Sequence, residues 1–150
     1  MAAMRLIPTL LLLAAAAPFA HASEEEEVIA VVQKVFDGMA AHDAAMIRST
    51  MLPDARLYSV TDAAAPRSMP AEDFISRIAG AQGALLERFT GRPQVSMRGR
   101  MAQVWGEYEF LRDGKFGHCG IDTATLFKTA DGWKIAALVY TSETTGCKGH

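Results

Sequence analysis

Basic clusters are missing from this chain, and so is a second apolar run long enough to cross a membrane. The first absence removes the electrostatic footprint that tracks a phosphate backbone, so nucleic acid is excluded as a partner class. The second leaves no membrane span in the mature chain. Cysteine is scarce, with two residues, Cys119 and Cys147. Together with His118 and His150 they match no zinc spacing. His118 and Cys119 are also neighbours that a strand would point to opposite faces, so no metal is expected. No cofactor is expected either. No repeat or low-complexity linker interrupts the chain, and 50% hydrophobic against 21% charged residues describes a core-forming globule rather than a disordered segment.

The chain does have a strongly patterned beginning. Arg5 precedes an apolar run from Leu6 to Ala20, and Ala20-His21-Ala22 fits a small-x-small cleavage site. Residues 1–22 therefore read as a signal peptide cleaved after Ala22, sending the protein to the periplasm or outside the cell. Residues 23–150 remain as one domain. Arg5 is the one charge removed, so the mature part is one unit more negative than the chain's formal −2.

Ser23 reads as an N-cap with Glu24–Glu27 in the first helical turn, where negative charge complements the helix dipole. Val28, Val31, Val32, Val35, Phe36 and Met39 follow at helical spacing. Asp43 caps a short second helix, with His42 an exposed loop residue before it. Ala55–Val60 alternates as a first strand, with a brief strand near Arg67 after it. Pro70 opens a third helix that Gly80 ends. From Pro93 the pattern becomes four strands, QVSMRG, MAQVWGEYEFLR, FGHCGIDTATLFK and GWKIAALVYTSE. The expected class is α+β, with about three N-terminal helices packed on a mostly antiparallel sheet.

Alternation assigns faces. Ala102, Val104, Gly106, Tyr108 and Phe110 share one side of their strand, and Trp105, Glu107 and Glu109 lie on the other. His118, Gly120 and Asp122 share a side of the next strand, opposite to Cys119, Ile121 and Phe127. A three-residue turn at Asp113–Lys115 pairs Tyr108 with Gly120 and turns His118 and Asp122 inward. A two-residue turn turns them outward.

The strings MLPDARLYSV, AEDFISRIAG, VWGEYEFLRDGKFGHCGIDT and LFKTADGWKIAALVYT resemble the nuclear-transport-factor-2-like, or ketosteroid-isomerase-like, cone fold. Within it the chain is most similar to the SnoaL-like and "putative lumazine-binding" branch. The resemblance implies a strongly curved sheet around an apolar pocket, the inward choice for Asp122, and a homodimer. It points to Tyr58, Val104, Tyr108, Phe110, His118 and Asp122 as pocket residues. Cys119 and Cys147 can pair on the outer side, where a hairpin at Ala130-Asp131 sets Cys119 opposite about Ser142.

Three functions fit these residues. One is an exported binder of a small apolar or aromatic molecule. A second is a cofactor-independent isomerase, cyclase or dehydratase, with Asp122 as acid/base and His118 or Tyr108 as partner. Against it, the isomerases' tyrosine in the first helix region has no counterpart here, and Asp122 has a bland alternative in pairing with Arg88, Arg56 or a backbone donor. The third is an interaction module using Trp105, Ile121 and Phe127. Whether the chain is an enzyme stays open on these residues.

Overall fold

The computed structural model describes residues 22–149; the expected signal peptide falls almost wholly outside them, as does His150. The order of elements is α1 (Glu24–Ala41), α2 (Ala44–Arg48), β1 (Met51–Thr61), β2 (Ala64–Pro70), α3 (Ala71–Ala79), β3 (Leu85–Phe89), β4 (Gln94–Arg98), β5 (Met101–Arg112), β6 (Lys115–Thr129) and β7 (Gly132–Thr141). The strands form one sheet in the order β2-β1-β7-β6-β5-β3, with β4 also paired to β5. All pairings are antiparallel except β1 with β7.

Ser23 builds a capping box: its hydroxyl accepts from the Glu26 amide, and the Glu26 carboxylate accepts from the Ser23 amide. Val28, Val32, Val35, Phe36 and Met39 then form the buried stripe of α1. They pack on the inner sheet face with Ala102, Val104, Ala124, Leu126, Ile135 and Leu138. His42 is a correction. It ends α1 in the left-handed region (φ 53°) and is half-buried rather than a free loop residue. Its ring nitrogens lie 3.0 Å from the Ile78 carbonyl and 2.9 Å from that of Gly83. It thereby ties the α1–α2 corner to the end of α3.

Two strands depart from expectation. β1 starts four residues earlier than its alternating core, and Pro53 is accommodated because the register with β7 shifts between Met51 and Arg56. A residue without an N–H is tolerated in such an irregular stretch. β3 is an element that the strand count from Pro93 onward leaves out.

The β5–β6 connection reaches the expected register by a different route. The turn has two residues, Asp113 and Gly114, at φ 52° and 73°, and Arg112 pairs with Lys115. Positive φ at both centres is the geometry of the tight hairpin turn. A bulge between Phe110 and Leu111 then adds Gly117 to β6, so that Phe110 faces His118, Tyr108 faces Gly120, and Gly106 faces Asp122. One extra residue restores the inner face that the two-residue turn alone would lose.

On the outer face Cys119 and Cys147 are joined, with Cα atoms 5.9 Å apart. Cys119 also forms a β-bridge with Glu143, so the tail runs beside β6 before the bond closes it. Substituting both cysteines by serine is expected to lower the unfolding free energy by about 2–4 kcal/mol. Urea denaturation under non-reducing conditions would measure this, and an unshifted midpoint would show that the staple adds nothing to global stability.

Candidate functional site

A cavity of about 160 Å³ lies between α1, α3 and the inner sheet face. Val35, Met39, Leu57, Phe74, Ile78, Phe110 and Leu138 make it mostly apolar, while Glu87, His118 and Tyr140 supply its polar groups. Each arrives by strand alternation. Leu85, Glu87 and Phe89 share the inner side of β3, and Glu87 stands opposite Phe110, which in turn stands opposite His118.

Asp122 is 2% exposed, behind the cavity wall. Neither carboxylate oxygen has a hydrogen-bond donor from the backbone, a hydroxyl or a cation among the described residues. The group that meets it is the Glu87 carboxyl, through charge and a hydrogen bond. Two carboxyls in contact inside a protein cannot both be ionised, so the pair holds a proton. Burial pushes Asp122 up to about 7. Burial, and then the Asp122 charge, raise Glu87 well above the usual carboxylate range. Near neutral pH the two carboxyls therefore share a proton and titrate as a unit.

Neither arginine named as an alternative partner reaches Asp122. Arg88 lies opposite Glu109 on the outer face and donates from Nε at 2.7 Å. Arg56 donates to Ser68 Oγ at 3.0 Å.

The other expected pocket residues divide. Phe110 and His118 line the cavity, their rings stacked with centroids 4.9 Å apart. Burial lowers the His118 pKa, which keeps the imidazole neutral at neutral pH. Tyr108 is fully buried, and its hydroxyl donates to the Thr141 carbonyl at 2.7 Å. Gly120 makes that bond possible: a Cβ there would sit 2.5 Å from the same carbonyl oxygen. Val104 packs in the core. Tyr58 is a correction. It is 37% exposed, because Leu57 takes the inner side of β1 and alternation puts its neighbour outside.

Glu87 escapes a reading that ends the helical half at Gly80 and starts the strands at Pro93. Its signal is the alternation Leu85-Glu87-Phe89, a carboxylate between two apolar residues at strand period. Among the described residues no group of three histidines, cysteines or carboxylates could hold a metal ion.

A family model described as "Putative lumazine-binding" matches residues 23–141. A search of curated proteins finds no match. Among solved structures, a nuclear transport factor 2-like superfamily protein from Salmonella enterica superposes with TM-score 0.66 at 13% identity, over 85% of this chain and 96% of that one. A Streptomyces avermitilis protein of that family, described as a "putative dehydratase", gives 0.64 at 20% identity over 79% and 95%. A protein from Novosphingobium aromaticivorans with a cystatin-like fold gives 0.63 at 16% identity over 83% and 84%. At these identities the likeness is one of fold.

The buried pair has a consequence for stability. Asp122 holds its proton to a higher pH folded than unfolded, so its contribution is complete below the unfolded pKa, near 4, and is lost as pH rises through about 7. At roughly 1.4 kcal/mol per pH unit, Asp122→Asn should stabilise the protein by about 1–3 kcal/mol at pH 8 and flatten the pH dependence between 4 and 7. Melting curves across that range measure it, and a variant that is less stable at pH 8 contradicts the buried-proton account.

Proposed function

Since the chain belongs to the family described as "Putative lumazine-binding", within the nuclear-transport-factor-2-like superfamily, we propose that it is an exported protein that binds a small, largely apolar molecule inside its cone. The observation that carries this reading is the cavity itself: an apolar enclosure of about 160 Å³ with a few convergent polar groups. An apolar cavity of about 150 Å³ in another protein holds benzene, so the space suits a ligand part the size of one ring. Export is supported by the cleavage motif before Ser23 and by a disulfide, which persists in oxidising compartments.

The carboxyl pair supports a second, chemical reading. A group that exchanges its proton near neutral pH is suited to general acid–base work. In this reading Glu87 presents the proton at the cavity and Asp122 holds it from behind, in a cofactor-independent isomerisation or dehydration.

Native mass spectrometry of the purified chain should detect a small molecule retained in the wild type and absent from Ile78→Trp, which fills the cavity. A wild type that carries nothing and binds no single-ring compound would rule out the binding reading. For the chemical reading, cyclohexanone in D2O serves as the probe. The wild type should accelerate exchange of its α-protons, and Asp122→Asn should remove about 10²-fold or more of that acceleration. Equal exchange by the two proteins excludes Asp122 from the chemistry.

A further inference from the structure

The charge inside the cone is one-sided. Glu87 opens on the cavity and Asp122 lies behind it with both oxygens lacking a cationic or amide donor among the described residues. Among the described residues no lysine or arginine lines the cavity. Tyr108 on β5 and Tyr140 on β7 act on the pair, and His118 on β6 shares the cavity with Glu87; none of them is a cation at neutral pH. Arg77 of α3 acts on Tyr140 from outside the lining, and Glu143 adds a further negative charge near Tyr108. The remaining wall is aliphatic and aromatic.

A buried carboxylate whose partner is another carboxyl, with no cationic or amide donor, is costly, and any ligand that supplies N–H groups and positive charge relieves that cost. An anion meets the opposite situation. A neutral apolar molecule fills the volume but leaves Asp122 as it was. The geometry points to an organic cation as the ligand: a planar or compact amine, amidine or guanidine-like head, directed at the Glu87–Asp122 pair, on an apolar body of about one ring. Phe74, Phe110 and Tyr140 bring aromatic rings to the same cavity, where ring faces also favour a cation. This specifies the chemistry of the small-molecule reading above and rests on it.

The pH response follows from the pair. The pair gives up a proton as pH rises through about 7, so it is more negative above that pH than below it. Burial lowers the His118 pKa, so its own titration lies on the acid side of the usual imidazole range. Cation binding should therefore strengthen as pH rises, and binding of a neutral isostere should not.

Benzamidine, benzamide and benzoate share a shape and differ in charge, which makes them the probes of choice. Calorimetric titration of the purified chain at pH 8 should show benzamidine binding at least tenfold more tightly than benzamide, with benzoate weakest. Benzamidine should lose about tenfold or more between pH 8 and pH 6, and benzamide should be unchanged. Asp122→Asn should abolish the pH dependence for benzamidine, with an unchanged circular dichroism spectrum and a cooperative melt showing that the variant is folded. Benzamide or benzoate binding as tightly as benzamidine would overturn the cation assignment and leave the binding reading standing. If none of the three binds, both fail.

Discussion

The β5–β6 hairpin decides what the interior of this protein can be. Side chains alternate along a strand, so one residue more or fewer between Arg112 and His118 exchanges the two faces of β6. With the bulge at Gly117, Asp122 enters the cone and Cys119 stays outside, and the β6–β7 register carries the same choice onward to Tyr140 opposite Asp122 and Leu138 opposite Ala124. The apolar stripe of α1 has a matching surface only on that register. Ala124 and Leu126 complete the core with Val28, Val32 and Phe36. The opposite register would put Ile121, Thr123, Thr125 and Phe127 there and expose Leu126. Full burial of Leu126, at about 1.5–3 kcal/mol, and the fit of the small Ala124 beneath α1 therefore favour the register that brings a carboxylate inside.

That carboxylate is a cost the same burial has to offset. An isolated charge in the interior is expensive enough that the group neutralises instead, and Glu87 is what makes a partial solution possible. Sharing a proton lets one carboxyl donate to the other, so a single negative charge is spread over the pair when Asp122 ionises. The arrangement is still under-satisfied, since among the described residues neither oxygen of Asp122 receives a backbone, hydroxyl or cationic donor. Native interiors seldom retain such a deficit without a use for it. Arg88 stands on the same strand as Glu87 but at the neighbouring position, so it projects outward and is taken by Glu109. One residue of displacement separates a satisfied ion pair on the outer face from an unsatisfied carboxyl pair inside.

Much of the fold can be read from the residues because its signals are local. The cap at Ser23, the apolar stripe of α1, the Asp43 cap and the long alternating strands all carry their instructions within a few positions. The site is less legible, for reasons that are also physical. Asp122 stands out as an acid in an apolar alternation, but its neighbour Glu87 lies 35 positions earlier on a five-residue strand too short to announce itself. No local pattern specifies that two carboxyls will meet across a curved sheet. Tyr58 illustrates the complementary limit: alternation separates it from Leu57, and only the placement of β1 between β2 and β7 determines which of the two faces inward. The hairpin shows a third kind. Its face assignment follows from turn length only where no bulge intervenes, and here a bulge does.

The segment Cys119-Gly120 joins the two sides of the molecule. Cys119 faces out and is bonded to the tail, while Gly120 faces in, beneath the end of β7. The Cys119–Glu143 bridge holds the chain just beyond Thr141, and Thr141 turns its carbonyl toward the hydroxyl of Tyr108 and its Oγ1 toward the amide of Ile121. Tyr108 is thus fixed by a group whose position the outer staple helps to set. Its ring in turn meets the edge of His118, with centroids 5.8 Å apart, and His118 stacks on Phe110 at the cavity wall. The mechanical path from the disulfide to the cavity runs through one strand, one carbonyl and three rings. Anchoring the tail therefore does more than close a loop. It holds the polar end of β7 over the base of the cone, and leaves the Glu87–Asp122 pair as the group there whose hydrogen bonding is unfinished.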